Sequence, residues 1–435
     1  MELRDRLRLV LRTGGTSSRA PLERSASPGR ELEPISRRPT SEITLPLGLT
    51  CVESDQGPVY VAEKKWPLDH GHGRLRLGEA LGLNQRAMAR LAPRHEPGDL
   101  GQAAFVDVET TGLAGGTGTH AFLIGVGTFE GSFFRLRQYF LADLPGEAAM
   151  LDATSQILSS CGPVVSFNGR TFDLPLLETR FTLNRLVVPD TSTRHLDLLY
   201  PARRLFRHRL PSCRLASLEQ GPLSVERKND LPGSAIPGIY FEYLRASRSN
   251  ALSTVFRHNA LDILSLVTLL ACLGGLVGDE APADPEDCLA LARWDESEGR
   301  PQEATALFES ALAASTREHT RSLAFRHLVR LYRRQGKWID LGRVLWRHAQ
   351  GSGPPEDKLH ALVELAKLEE HRHRNYAAAE TLTRQALATA EVMDLASRLA
   401  VTSRWREALE HRLLRLRRRQ RNERRRLDSR ETALA

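Results

Sequence analysis

Cysteine is scarce in this chain: five among 435 residues (Cys51, Cys161, Cys213, Cys272, Cys288), with no CxxC pair. That pattern argues against a cysteine zinc site and a secreted disulfide framework, and fits a reducing cytoplasmic setting. Lysine is also sparse, only six of the 61 basic side chains. Genome composition explains that bias as readily as phosphate recognition does. An uninterrupted apolar run is missing too. The longest, Leu261 to Val277, contains Asp262 and Gly274–Gly275 and is shorter than the ~20 residues a membrane span needs. A buried helix and no membrane contact are expected. The opening MELRDRLRLVLR spreads charge through what an export signal keeps apolar, so no secretory signal is expected there.

What is present is an ordinary globular balance, 41% hydrophobic and 26% charged, in a chain long enough for two or three units at roughly 150 residues each. The net charge of +8 has one address: twelve Arg against four acids between Arg404 and Arg430. Residues 1–42 read as a basic, Ser- and Pro-rich arm without sustained periodicity, which predicts disorder. Residues 43–100 hold short strand-like runs and one helix-like stretch, read as a small flanking unit.

From 101 to 278 the pattern changes. The apolar run AAFVDVE is followed by AFLIGVGTF, FFRLRQYFL, a helix near Glu147–Ser160, PVVSFN and further helices, which predicts a mixed α/β sheet flanked by helices. Residues 286–402 are helical throughout. Gly299, Ala304, Phe308 and Ala311, then Tyr332, Gly336, Leu341 and Leu345, then Ala379 and Ala386 recur at intervals of 37 and 38 residues. They resemble tetratricopeptide (TPR) hairpins. Asp295 departs from that pattern, standing where an aromatic is usual, and an ordinary helical bundle is the alternative. Residues 403–435 read as an Arg-rich helical tail with Leu409, Leu413, Leu416 and Leu427 as a narrow apolar stripe.

The chemistry concentrates in acids. Asp107 and Glu109 in FVDVETTGL are two apart on a strand and share one face. Two carboxylates side by side in an apolar run repel each other and resist desolvation unless a cation lies between them. Asp173, in SFNGRTFDLPLL, enters a helix and serves equally well as a helix cap or as a third acid. His258 and Asp262, in RHNALDIL, are four apart, which on a helix stacks imidazole above carboxylate. Carboxylate oxygens without cysteine favour two Mg²⁺ or Mn²⁺ ions over zinc, and two such ions serve in-line phosphoryl displacement.

The motifs DVETTGL, SFNGRTFDLPLL, HLDLLYPARRLF, LASLE, the D-LPG-P stretch near Asp230–Pro237 and RHNALDILSL resemble the RNase H-fold exonucleases with four metal-binding acids, most closely the YprB-type ribonuclease H-like domain. About 40% of the chain is covered. The resemblance implies an RNase H-like α/β fold, 3′→5′ exonuclease activity on DNA or RNA, metal held by Asp107, Glu109, Asp173 and Asp262, and His258 as general base. Leu113 would lie near the terminal bases, with Thr111 and Asn168 as neighbouring substrate contacts. One departure is evident: the base in these enzymes is usually a Tyr four residues before the last Asp or a His five before it, and here a His stands at the Tyr spacing. Asp197 is read as structural. Arg203, Arg204, Arg207, Arg209 and Arg214, with Phe206 and His208 interleaved, form a basic cluster suited either to a phosphate track or to plain solvation. The rival reading from another class is a noncatalytic scaffold that grips nucleic acid with the α/β unit and a protein with the repeats. An endonuclease of the same fold is the third.

Overall fold

The computed structural model describes residues 48–93, 98–112, 117–246, 251–397 and 402–434. The arm expected over 1–42 lies outside them. Strands β1 (Leu49–Ser54) and β2 (Gly57–Pro67) form a hairpin, followed by the short pair β3 (Gly71–His72) and β4 (Leu75–Arg76) and helix α1 (Gln85–Leu91). Asn84 caps α1 by accepting the Ala87 N–H at 2.8 Å. Then come β5 (Ala104–Thr110), β6 (Ala121–Glu130), β7 (Phe133–Phe140), α2 (Glu147–Ser160), β8 (Val164–Ser166), α3 (Asp173–Leu183), β9 (His195–Asp197), α4 (Leu199–Phe206), α5 (Leu215–Leu218), α6 (Ile236–Ala246) and α7 (Leu252–Val277).

The main sheet runs β1-β2-β7-β6-β5-β8-β9. β8 is parallel to β5 and to β9, and the other pairs are antiparallel. The acid-bearing β5 thus lies inside the sheet. The stretch read as a small flanking unit contributes β1 and β2 to this sheet: β2 pairs with β7 from Tyr60↔Phe140 to Pro67↔Phe133. It covers what would otherwise be an open edge, while Leu77, Ala80, Met88 and Leu91 are buried in the core beneath α7.

Alternation along β5 sorts its side chains to two cores. Val106 and Val108 pack with Leu177, Phe181 and Tyr240 on one face, whereas Phe105 joins Ala260, Ile263 and Leu264 of α7 on the other. α7 lies close on the sheet because β6 presents glycine under it. A Cβ on Gly125 would stand 2.3 Å from Asn259 Oδ1, and one on Gly127 would stand 2.8 Å from the Ile263 side chain. By length and composition α7 alone, among the described residues, passes for a membrane span, but most of it is buried inside the protein.

Beyond α7 the chain is helical: α8 (Pro285–Ser297), α9 (Pro301–Ala314), α10 (Glu318–Gln335), α11 (Trp338–Gln350), α12 (Pro355–Leu368), α13 (Tyr376–Ser397) and α14 (Ser403–Leu434). Ala304, Phe308, Ala311, Tyr332, Leu341, Leu345, Ala379 and Ala386 are all buried. Asp295, in place of an aromatic, is fully buried and takes Arg90 from α1 at 3.1 Å and Arg300 at 2.9 Å. That ion pair ties the helical region to the α/β region. In α14, Leu409 and Leu416 are buried, and Arg412, Arg415 and Arg419 converge on buried Glu370 at 2.6, 2.9 and 3.4 Å. Arg417, Arg418, Arg421, Arg424 and Arg425 are exposed, with Arg417 paired to Glu380 at 3.1 Å.

Candidate active site

Asp107 and Glu109 extend from β5 on the same face as Phe105, the face covered by α7. A β-bulge between Glu109 and Thr110 ends the regular pairing with β6. Asp107 pairs in register with Gly125, and the space left there admits Asn259 from α7. Asn259 donates to Asp107 Oδ2 at 2.8 Å, and Gln138 of β7 in turn donates to Asn259 Oδ1 at 2.8 Å. Both amides are fully buried, so this chain of amides fixes one oxygen of Asp107.

Asp173 arrives by a turn at the end of β8. Asn168 sits in the left-handed region (φ 65°), and the Asp197 carboxylate accepts the N–H groups of Asn168, Arg170 and Leu199 at 2.7, 3.2 and 3.0 Å. Asp197 therefore does structural work, anchoring the loop that starts α3. Asp173 is the first residue of α3; Phe172 occupies the cap position and makes no side-chain cap bond.

α7 supplies the remaining pair. His258 Nε2 lies 3.6 Å from Asp262 Oδ2, one turn away as the spacing predicts. One ligand atom each from Glu109, His258 and Asp262 lies within 4.8 Å of the others. On its other side, His258 Nδ1 meets the two Asp230 oxygens at 3.0 and 2.9 Å. Arg227 donates to Asp230 at 2.8 Å, to Glu219 Oε2 at 2.7 Å, and to Asp262.

Electrostatics mark these acids as a cluster short of positive charge. Burial raises Asp107 well above the usual carboxylate range, and the charges of Asp262, Glu109 and Asp173 push it further. Burial, then Asp262 and Asp173, push Glu109 up to about 8. Burial is also the leading cause for Asp173, which reaches about 7. Asp262 is raised by burial against the opposing pull of Arg227 and His258. A divalent cation fits this donor set: four recessed carboxylates whose protonation is otherwise the cheapest way to relieve their repulsion. Glu147, near the Thr111–His120 loop, shows the opposite balance. Burial works to raise it, but hydrogen bonds from His120, Arg180 and Asn184 prevail and hold it down at about 2.

The other expected contacts are dispersed. Thr111 closes the neck of its loop through its N–H to the His120 carbonyl and its hydroxyl from the His120 N–H. Leu113 lies outside the described residues. The Asn168 side chain is engaged by the Thr171 hydroxyl at 2.8 Å. Arg203 on α4 and Arg207 just after it are exposed, beyond the edge strand β9, while Arg204 lies over the Trp294 ring and pairs with Glu298. Arg204 is thus bound to the helical region. Sequence reasoning missed Arg227, and it quoted Gln138, Glu219, Asp230 and Asn259 in motifs or strand runs without giving them a role. Phe172, exposed immediately before Asp173, was missed as well.

Residues 104–273 match the sequence profile of the RNase_H superfamily. The chain is also similar to the uncharacterized protein YprB of Bacillus subtilis (strain 168), 29% identical over 339 residues that cover 76% of this chain and 80% of that protein. The matched segment begins at the acid-bearing strand and ends within the helix that carries His258 and Asp262. Sheet order and profile together give residues 104–273 a helix-flanked mixed sheet similar to the RNase_H superfamily, a nuclease-type fold.

Proposed function

We propose that the protein is a divalent-metal-dependent exonuclease that removes nucleotides from the 3′ end of DNA or RNA in a reducing cytoplasm. The observation that carries this reading is the convergence of Asp107, Glu109, Asp173 and Asp262 from three separate stretches, with His258 beside two of them. The direction of digestion rests on the resemblance of the motifs. The four carboxylates would hold Mg²⁺ or Mn²⁺, and two such ions supply Lewis-acid stabilisation of attacking and leaving oxygens. The chain's own groups do the rest. His258 takes a proton from the attacking water at Nε2 as its oxygen bonds to phosphorus. The P–O3′ bond breaks, the leaving oxygen takes up a solvent proton, and a nucleoside 5′-monophosphate departs. Phe172 offers a stacking face beside Asp173, and Thr111, Leu113, Asn168, Arg203 and Arg207 are read as contacts along the strand. The hairpins from α8 to α13 are read as TPR-like and as the seat of a protein partner.

The deciding experiment uses the full chain with end-labelled single-stranded and duplex DNA and RNA in Mg²⁺, Mn²⁺ or EDTA. Stepwise shortening from the 3′ end, lost in EDTA and in Asp107→Ala, is expected. Cleavage of a circular substrate would make the protein an endonuclease, and binding without cleavage would make it a scaffold.

A further inference from the structure

The loop between α5 and α6 crosses over the start of α7 and carries a ladder of charges that the four acids do not account for. At its base Glu219 is 1% exposed. It receives Ser265 from α7 and grips the Arg227 guanidinium through both of its oxygens. Ser265 is itself bonded to His72 Nε2 at 2.8 Å. Arg227 then reaches two further carboxylates, Asp262 and Asp230. Asp230 closes the ladder on His258 Nδ1. Ser224 and Asn229, at either end of this short crossing, both have positive φ (54° and 56°), so the backbone is bent to bring Arg227 and Asp230 inward. The LASLE and D-LPG-P stretches supply the two carboxylates that hold Arg227 from opposite sides.

We propose that Asp230, oriented by Arg227, is the positioning residue for His258: it accepts the Nδ1–H and leaves Nε2 as the acceptor turned toward Glu109 and Asp262. This rests on the reading of His258 as the group that takes the water proton. A neutral imidazole has one donor and one acceptor nitrogen, and the partner of one decides the role of the other. A carboxylate can only accept, so with Asp230 at Nδ1 the lone pair is at Nε2. Arg227 Nη1 also lies 3.4 Å from Nδ1, but it donates to Asp230 Oδ2 at the shorter distance of 2.8 Å, and both Asp230 oxygens lie nearer to Nδ1 than the guanidinium does. In Asp230→Asn the single amide oxygen goes to Arg227, and the NH₂ group faces Nδ1. The ring proton then moves to Nε2, the atom that must be free to accept.

The test is a double-mutant cycle on the full chain with an end-labelled single-stranded oligonucleotide and Mg²⁺, read as single-turnover rate and KM. Asp230→Asn should slow the chemical step by about 10–100-fold, the range for losing an outer-shell partner at a metal site, with KM changed less than about threefold. Asp230→Glu should recover part of the rate. In the His258→Ala background, Asp230→Asn should cost nothing further. Imidazole ¹⁵N spectra, with the His258 signals identified by their loss in His258→Ala, should show the proton at Nδ1 in the parent and at Nε2 in Asp230→Asn. If Asp230→Asn costs as much in the His258→Ala background as in the parent, or if the tautomer is the same in both proteins, the positioning role is refuted and the base reading stands. If His258→Ala cleaves at the parent rate, the base reading fails and the positioning role with it.

Discussion

Glu109→Gln should stabilise the metal-free protein at alkaline pH even as it disables the site. Glu109 is pushed up to about 8 in the folded chain from an ordinary 4.5. A carboxyl whose folded pKa is raised contributes stability that is complete below the unfolded value and is lost as pH climbs toward the folded one. From about pH 5.5 to about pH 8 the folded chain retains a proton that the unfolded chain has released, so stability falls by about 1.36 kcal/mol per unit, about 3 kcal/mol in all. Asp173, up at about 7, moves in the same sense within the same cluster. Buried His72, pushed down to about 4, moves the other way, so the quantity to read is the difference between parent and variant, in which the histidine cancels. The assay is urea unfolding in EDTA at both pH values. The variant should gain about 3 kcal/mol on the parent between them, and Mg²⁺ should stabilise the parent more than the variant, by about 2.7 kcal/mol at a hundredfold excess over Kd. A difference that does not change with pH, or a variant less stable than the parent near pH 8, would refute the picture of an undercompensated acid cluster.

Gly125→Ala places a methyl 2.3 Å from Asn259 Oδ1. It should cost about 1–3 kcal/mol by overpacking and reduce cleavage at least about tenfold by disturbing Asp107, whereas Gly82→Ala, with open space around it, should do neither. Glu370→Ala removes the common partner of Arg412, Arg415 and Arg419. A loss of about 3 kcal/mol, the low end for breaking a buried ion pair, should appear as faster proteolysis within 403–434; unchanged proteolysis would mean that Leu409 and Leu416 alone hold the helix. Replacing Arg418, Arg421 and Arg424 by Gln should flatten the dependence of log K on log salt for duplex DNA by about 0.9 for each phosphate that is no longer neutralised. An unchanged slope would assign that basic face to a protein partner or to solvent alone.

Spacing within one element was legible in the sequence. Asp107 and Glu109 declare a shared strand face, and His258 and Asp262 a shared helix turn, because those periods are local. The apolar run ending at Val277 likewise declares a buried helix, which begins at Leu252, ahead of the apolar run. What depends on two distant elements meeting was not legible. Asn259 reads as an ordinary helix residue until Gly125 is found opposite it. Arg227 reads as a loop charge until Glu219 and Asp262 close on it. The β1–β2 hairpin has no feature announcing that β7 is its partner. Arg204 shows the converse limit: the density of like charge along a chain does not reveal an acid such as Glu298 waiting in the helical region.

α7 begins over the acids and runs unbroken to Val277; from Asp262 onward that is about 22 Å at the usual rise per residue. At its far end the helical region is not left to swing, because Asp295 is locked to Arg90 and Trp294 lies under Arg204. The helix therefore works as a caliper arm. On the reading of the hairpins as a binding surface, a ligand held there would meet the acids at one fixed reach, not over the broad range of distances that a flexible tether would sample. Lengthening the arm or cutting its far anchor would alter where along a bound strand the acids fall, while leaving the acids themselves as they are.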